Sequence, residues 1–529
     1  MAGPAAPDVE VGTLGFWAIA REDPSRVAIV DAHAHETTFG EMLDASDAAA
    51  RGLRALGLER GDALAMVLPN VPSFLTVYLA AMSSGLYLTP VNSHLAAPEI
   101  AHVIADCEAK AVVVHADLAE RAAAGVDSVG VSATTRFADP RAEGYRPLSD
   151  LAELGEQQPP LPGDLGAGAM MLYTSGTTGT PKGVRRSLPE AEPSDLFGRL
   201  GEIYCSGFGI RSGPGVHLVC GPLYHAGPSA SATSALHVGH TLVLMDRWTP
   251  EACLELIQRH RVTSTQMVPT MFHRLLALPV EVRERYDISS IESVMHTGAP
   301  CPMVVKQRFM DWFGPVVYET YGGTESVATI ATPRRWLQKP GTVGKAIHGV
   351  TLHILDDDGE ECPVGEAGAI YVEHKMGVGA EYFKDPEKTK QMRRGNLVTL
   401  GDVGYLDDDG FLFLRDRKVD MVISGGVNIY PAEIEAVLLQ SPLVADVAVI
   451  GVPDDELGEI VLAIVEPSLP LSDPEGVGRD IIDFCNDRLA RFKHPRRVEL
   501  VELLPRLPNG KMEKRRLREP YWEGHDRAI

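Results

Sequence analysis

Short apolar runs recur along the chain and alternate with segments of helical spacing. Residues 27–30 (VAIV), 63–68 (ALAMVL), 86–91 (LYLTPV) and 111–115 (AVVVH) read as buried strands. Between them, Met42, Leu43, Ala49, Leu53 and Leu56 repeat at helical spacing, so 39–56 is predicted as a helix. A second apolar helix over 74–82 follows Pro72, a residue favoured at the first helical position. A third is predicted over 98–105. The alternation resumes further on. Strands are predicted at 216–219, 241–244, 263–268, 291–295 and 316–318, and helices at 251–259, 270–278 and 302–312. Strands alternating with helices imply parallel sheets with helices on their faces.

The pattern changes at 342–413. Short strands there are separated by DDDG turns at 356–359 and 407–410, which predicts an antiparallel or barrel-like subdomain. The charged run 415–420 (RDRKVD) follows. Beyond it come a predicted helix at 431–439, strands at 444–452 and 459–465, a helix at 481–489 and a strand at 497–503. The expected fold is therefore α/β. A large N-terminal domain of parallel, helix-flanked sheets, with a small β-barrel-like subdomain, is followed by a small mobile α+β C-terminal domain. The expected boundaries are 1–416, a hinge at 417–420, and 421–529.

Composition narrows the function classes. At 529 residues the chain exceeds the size of a single core. The formal charge of −23 disfavours nucleic acid or an anionic membrane as partner, because either needs a basic surface. It leaves room for a polyanionic small ligand held by local cations. The seven cysteines form no C-x-x-C pair, so neither a disulfide framework nor a zinc site is expected, and a reducing cytosol fits. The opening MAGPAAP lacks a basic-then-apolar signal pattern, and no run of about 18 apolar residues predicts a transmembrane segment.

The richest candidate chemistry lies at 173–184 (YTSGTTGTPKGV). Thr174, Ser175, Thr177 and Thr178 stand among Gly176, Gly179 and Gly183, and one cation, Lys182, follows. Glycines let backbone N–H groups approach a ligand, hydroxyls donate hydrogen bonds without charge, and lysine supplies a compact cation. Together these suit a polyphosphate. A mobile Gly/Thr surface loop would have similar composition, but the apolar run 170–173 feeds this one as a strand. The G-x-x-x-x-G-K-[ST] phosphate loop is excluded, since here the lysine follows Pro181 and precedes Gly183. Pro189 and Pro193 also oppose an immediate helix.

Further groups follow at predicted strand ends, where open parallel sheets bind ligands. At 321–325 (YGGTE) an aromatic, a hydroxyl and a carboxylate could serve a phosphate-bound magnesium ion. Asp402 follows Gly401 and suits a pair of ribose hydroxyls. Gly425 and Gly426 allow close backbone approach or simply a tight turn before Pro431. Lys511 ends the Pro/Asn/Gly turn of 504–511 (LPRLPNGK), which holds it on a short stem. The Ala/Ser-rich stretch 228–239 either leaves volume for a bulky group or permits close helix packing.

These stretches, in this order, resemble the adenylate-forming superfamily, and within it the acyl-CoA synthetases. The resemblance spans 173 to 511, most of the chain. It implies that 174–179 and Lys182 grip the ATP phosphates, and that Gly298, Ala299, Pro300 and Tyr321 form the adenine site. Asp402 and Arg417 would bind ribose, Thr324 the α-phosphate and Glu325 a Mg2+ ion. His225 and Gly322 would line the acyl pocket, with 222–227 (PLYHAG) resembling its wall. Lys511 would be the catalytic lysine of adenylation, and Gly426 would lie along the CoA tunnel. The sequence departs from the family in having Leu400 before Gly401, and Val419 where many members carry a hinge Asp or Lys. The implied enzyme is a cytoplasmic, ATP-dependent carboxylic acid–CoA ligase, with a homodimer as its expected assembly. It would act on a hydrophobic acid, fatty or bulky and steroid- or terpenoid-like. An acyl-AMP ligase delivering to a carrier protein is the alternative. A nucleotide sensor or inactive scaffold is opposed by intact Lys182, Glu325, Asp402 and Lys511.

Overall fold

The computed structural model describes residues 14–523 except 129, 164, 175–180, 324–326, 376–379, 418–419, 426, 455, 469–473, 487 and 508–509. The chain divides into two compact units. One comprises Met1–Met267, Leu278–Met295 and Gly379–Pro386, the other Val268–Ala277, His296–Val378 and Glu387–Ile529.

The first unit carries a six-stranded, wholly parallel sheet in the order Arg146–Pro147, Arg136–Asp139, Ala109–His115, Ala63–Val67, Tyr87–Pro90, Ala169–Met170. A second sheet places Val216–Val219 between Ser264–Met267 and Thr241–Leu244, all parallel, with Val27–Val30 parallel to the last. Strand Ala63–Val67 is buried at every position, as a parallel strand covered on both faces must be. Helix Pro72–Ser83 carries buried residues around its circumference, from Phe74 and Leu75 to Tyr78 and Met82, so it is a core element rather than an amphipathic one. Its proline stands at the helix start, as expected.

As Pro189 and Pro193 led us to expect, no helix follows Lys182 at once: strand Lys182–Arg186 comes first, and Pro193 then opens helix Pro193–Gly207, with the Glu192 side chain accepting from the Asp195 amide. Proline has no N–H to lose at a first-turn position, so the same residue that ends one segment begins the next. One helix departs from the sequence reading: that predicted at 481–489 lies at Pro474–Asp483, again starting at a proline, and residues 484–486 are turn.

In the second unit, Val317–Gly322 pairs antiparallel with Val327–Ala331, which pairs with Lys345–Ala346. The 342–413 region is the expected antiparallel sheet, Val350–Leu355, Gly368–His374 and Leu397–Leu406 in succession, with Leu412–Arg417 also on the last strand. The C-terminal α+β part is built on the hairpin of Val444–Asp454 and Gly458–Pro467, with Arg497–Leu500 parallel to its second strand.

A buried ion pair fixes strand Val317–Gly322. Lys306, on helix Met303–Phe313, is fully buried, and its Nζ donates to Glu319 Oε2 at 2.7 Å. The ammonium also lies 5.0 Å from the Trp336 ring centroid. Burial raises the Glu319 carboxyl, but Lys306 first and His296 next more than offset it, and its pKa falls to about 2. Burial holds His296, whose Nε2 is 3.5 Å from Glu319, below the usual histidine range. Lys306 is therefore the cation of the pair. Lys306→Ala should lower unfolding stability by about 3–5 kcal/mol in denaturant titration, because an unpaired carboxylate is left buried. Replacing both partners by apolar residues, Lys306→Met with Glu319→Leu, should recover most of that loss. With the folded pKa depressed below the ordinary 4.5, the Glu319 contribution is complete above about pH 4.5 and is lost as pH falls toward 2.

Candidate active site

In the second unit the strand held by Lys306 carries Tyr321, two residues beyond Glu319 and on the same side of the strand. Tyr321 is buried, and its hydroxyl donates to Asp402 Oδ2 at 2.9 Å. Asp402 belongs to Leu397–Leu406, and the register of that strand with Leu412–Arg417 sets Arg417 directly across from Asp402. Three residues scattered over 97 positions of sequence, each singled out separately, thus converge by strand pairing. The turn before Val317–Gly322 is tied to it, since Thr297 Oγ1 donates to the Thr320 carbonyl at 3.0 Å. Gly298 follows with φ +88°, a left-handed conformation suited to glycine, and nothing lies within 4 Å of where a Cβ would be. Ala299 is half-buried and Pro300 exposed. Gly322 closes its strand beside Tyr321.

Lys511 follows a clamped turn in the same unit. Arg506 grips Asp446 through two hydrogen bonds of 2.8 Å and donates to the Gly510 carbonyl at 2.8 Å. The Leu507 amide donates to the Lys511 carbonyl at 2.9 Å. Gly510 has φ +78°, and a Cβ there would lie 2.3 Å from Thr270 Oγ1. Only glycine permits so close an approach to the 268–277 segment. The expected stem beneath Lys511 is therefore a real one.

In the first unit, strands Leu172–Thr174 and Lys182–Arg186 flank 175–180 and pair antiparallel, with Lys182 opposite Thr174. The Tyr173 hydroxyl donates to Asp106 Oδ2 at 2.7 Å, and burial first, then neighbouring anions, push its pKa up. Lys182 Nζ lies 3.2 Å from Asp385 Oδ2. His225 is half-buried at the start of helix Ala226–His237, with its ring 4.6 Å from that of Tyr224. The small residues of that helix serve packing on the face toward Pro193–Gly207, where a Cβ at Gly201 would meet the Ser234 carbonyl and His237 Cβ at 3.1 Å. Ser175, Gly176, Thr177, Thr178, Gly179, Thr324, Glu325 and Gly426 lie outside the described residues, as do the side chains of Thr174 and Arg417. Among the described residues no group of three acidic, histidine or cysteine side chains could hold a metal ion.

Sequence reasoning missed two residues that shape these loops. Asn70 follows the predicted strand 63–68 and carries no role in the sequence reading. Its side chain donates to the Gly221 carbonyl at 3.0 Å and the Met245 carbonyl at 3.2 Å, and accepts from the Leu223 amide at 2.9 Å, pinning the approach to His225. Asp385 precedes Pro386, where an aspartate ordinarily signals a helix cap. Neither contact leaves a local sequence signal, because each partner is more than 150 residues away.

The family model for AMP-binding enzymes matches residues 16–383, and that for the AMP-binding enzyme C-terminal domain matches 433–511. The chain is 32% identical over 502 residues to a 2-succinylbenzoate–CoA ligase of Geobacillus kaustophilus, covering 94% of this chain and 95% of the relative. It is also 32% identical over 493 residues to the long-chain-fatty-acid–CoA ligase FadD13 of Mycobacterium tuberculosis, covering 92% and 93%. Its fold matches the o-succinylbenzoate CoA synthetase of Bacillus subtilis, solved with its acyl-adenylate intermediate, at a TM-score of 0.77 and 26% identity, over 95% of this chain and 98% of that one. With the Tyr321–Asp402 pair and both family segments in place, the chain belongs to the AMP-binding enzyme family and is an adenylate-forming enzyme of the acyl-CoA synthetase type.

Proposed function

We propose that this enzyme converts a hydrophobic carboxylic acid to its CoA thioester in two steps. A carboxylate oxygen of the acid attacks the α-phosphorus of ATP, the bond to pyrophosphate breaks, and acyl-AMP forms. The CoA thiol then attacks the acyl carbonyl, and AMP leaves with the C–O electron pair. The observation that carries this reading is the hydrogen bond between Tyr321 and Asp402, with Arg417 in register across the strand. An aromatic face beside a carboxylate fits adenine next to a ribose diol, and Gly298, Ala299 and Pro300 complete the adenine side.

The remaining roles follow the same reading. Lys182, with Thr174, Ser175, Gly176, Thr177, Thr178 and Gly179, holds the β- and γ-phosphates. Thr324 contacts the α-phosphate. Lys511 offsets charge growing between the carboxylate and the α-phosphate, a preorganised electrostatic contribution. His225 and Gly322 border the acyl group. Gly426 lets the backbone run close to the CoA arm after 421–529 turns about a hinge at 417–420. Glu325 is the proposed ligand of a magnesium ion, which would neutralise phosphate charge. The relatives act on acids as unlike as 2-succinylbenzoate and long-chain fatty acids, so a fatty or bulky polycyclic acid is assigned here on hydrophobicity alone. A cytoplasmic homodimer completes the proposal.

Lys511→Ala should slow adenylation, followed by pyrophosphate exchange, by about 10²-fold or more. Thioester formation from supplied acyl-AMP should stay near wild type. Equal loss in both half-reactions would refute a lysine confined to the first. Gly426→Trp should show the opposite division. A panel of fatty, aryl and polycyclic acids, read by AMP release with free CoA present, tests the whole reaction. Acyl-AMP without CoA thioester would favour delivery to a carrier protein instead.

A further inference from the structure

The segment 380–386 belongs to the first unit although its sequence neighbours on both sides belong to the second. It is fastened to the Lys182 strand at several points. Ala380–Tyr382 pairs antiparallel with Lys182–Arg186, with Val184 opposite Tyr382 and Arg186 opposite Ala380. The Phe383 amide donates to the Gly183 carbonyl at 2.8 Å. The Arg185 guanidinium lies 4.9 Å from the Phe383 ring centroid and 4.0 Å from that of Tyr87. Lys384 donates to the Asp106 carbonyl at 2.8 Å and pairs with Glu108 at 3.1 Å. Asp106 in turn accepts from Tyr173, the residue opposite Gly183.

Within this fastening Lys384 has φ +57°. Residues with a Cβ adopt that left-handed conformation at a cost, and it persists where the surroundings over-determine it. The next residue is Asp385, whose Oδ2 lies 3.2 Å from Lys182 Nζ. The Lys182 side chain is 31% exposed and the Asp385 side chain 24%, so the pair is reachable by an incoming anion.

We infer that Asp385 is the resident counter-ion of Lys182, which the polyphosphate of ATP must displace and which recovers the lysine when pyrophosphate leaves. This rests on the reading of Lys182 as a phosphate ligand. No covalent bond changes: one ion pair is exchanged for another, and the carboxylate competes with phosphate for a single cation. Asp385 therefore weakens ATP binding and pyrophosphate retention together. It is a positioning residue, acting through Lys182.

The test is steady-state kinetics with pyrophosphate as product inhibitor. Asp385→Asn keeps the shape and removes the charge. It should lower both the KM for ATP and the pyrophosphate inhibition constant by about two- to fivefold, the range for a partly exposed pair. The KM for the acid should not move, whereas a general loss of structure would shift it too. Asp385→Glu, which restores the charge, should return the ATP values toward wild type. In a Lys182→Ala background Asp385→Asn should have no further effect on ATP. An unchanged or raised KM for ATP in Asp385→Asn overturns the inference while leaving the phosphate-ligand reading intact. An unchanged KM for ATP in Lys182→Ala overturns that reading itself, and the inference with it.

Discussion

Glu319 stays ionised inside the protein because Lys306 reaches it at 2.7 Å. A carboxylate and an ammonium each lose several kcal/mol of hydration on burial, and only close mutual contact offsets that cost. The pair joins helix Met303–Phe313 to strand Val317–Gly322 at one defined distance. Everything the strand carries inherits that position. Tyr321 stands two residues on and meets Asp402, and Thr320 accepts the hydrogen bond that holds the Thr297 turn. Apolar packing alone tolerates small slides of one element along another, whereas a buried charge pair does not.

The same economy appears elsewhere. In a chain of net charge −23, the cations proposed to meet phosphate stand among specific contacts rather than in a general basic field. Lys182 lies beside Asp385, and the turn before Lys511 is clamped by the Arg506–Asp446 fork. In each case a carboxylate fixes where a cation, or the loop bearing it, sits before any ligand arrives. Long-range side-chain clamps do likewise for neutral loops, as Asn70 does for 221–223.

Much of the architecture was legible because periodicity reports burial. Residues 63–68 and 111–115 read as strands since both faces of a parallel sheet are covered, and 39–56 read as a helix from its apolar stripe; the structure has them at Ala63–Val67, Ala109–His115 and Phe39–Ala55. The helix expected at 481–489 begins instead at Pro474, as another begins at Pro193, because a residue lacking an N–H is harmless where no intrahelical acceptor awaits it. The Ala/Ser-rich run at 228–239 was compatible with a large pocket or with tight packing. The approach of Gly201 decides for packing on one face of that helix.

The sequence by itself determined the fold class, the order of the motifs, and the residue types suited to phosphate, ribose and adenine. These are local properties: glycine freedom, hydroxyl and charge chemistry, and side-chain period are all written within a few residues. Tertiary structure alone decided which of those residues meet. Tyr321 reaches Asp402, and Arg417 stands across from it, through strand register set between distant segments. Asp385 faces Lys182 because residues 380–386 add a strand beside Lys182–Arg186, and Gly510 must be glycine because Thr270 lies against it. A hydrogen bond or ion pair acts over a few ångströms, and only folding brings residues hundreds of positions apart within that distance.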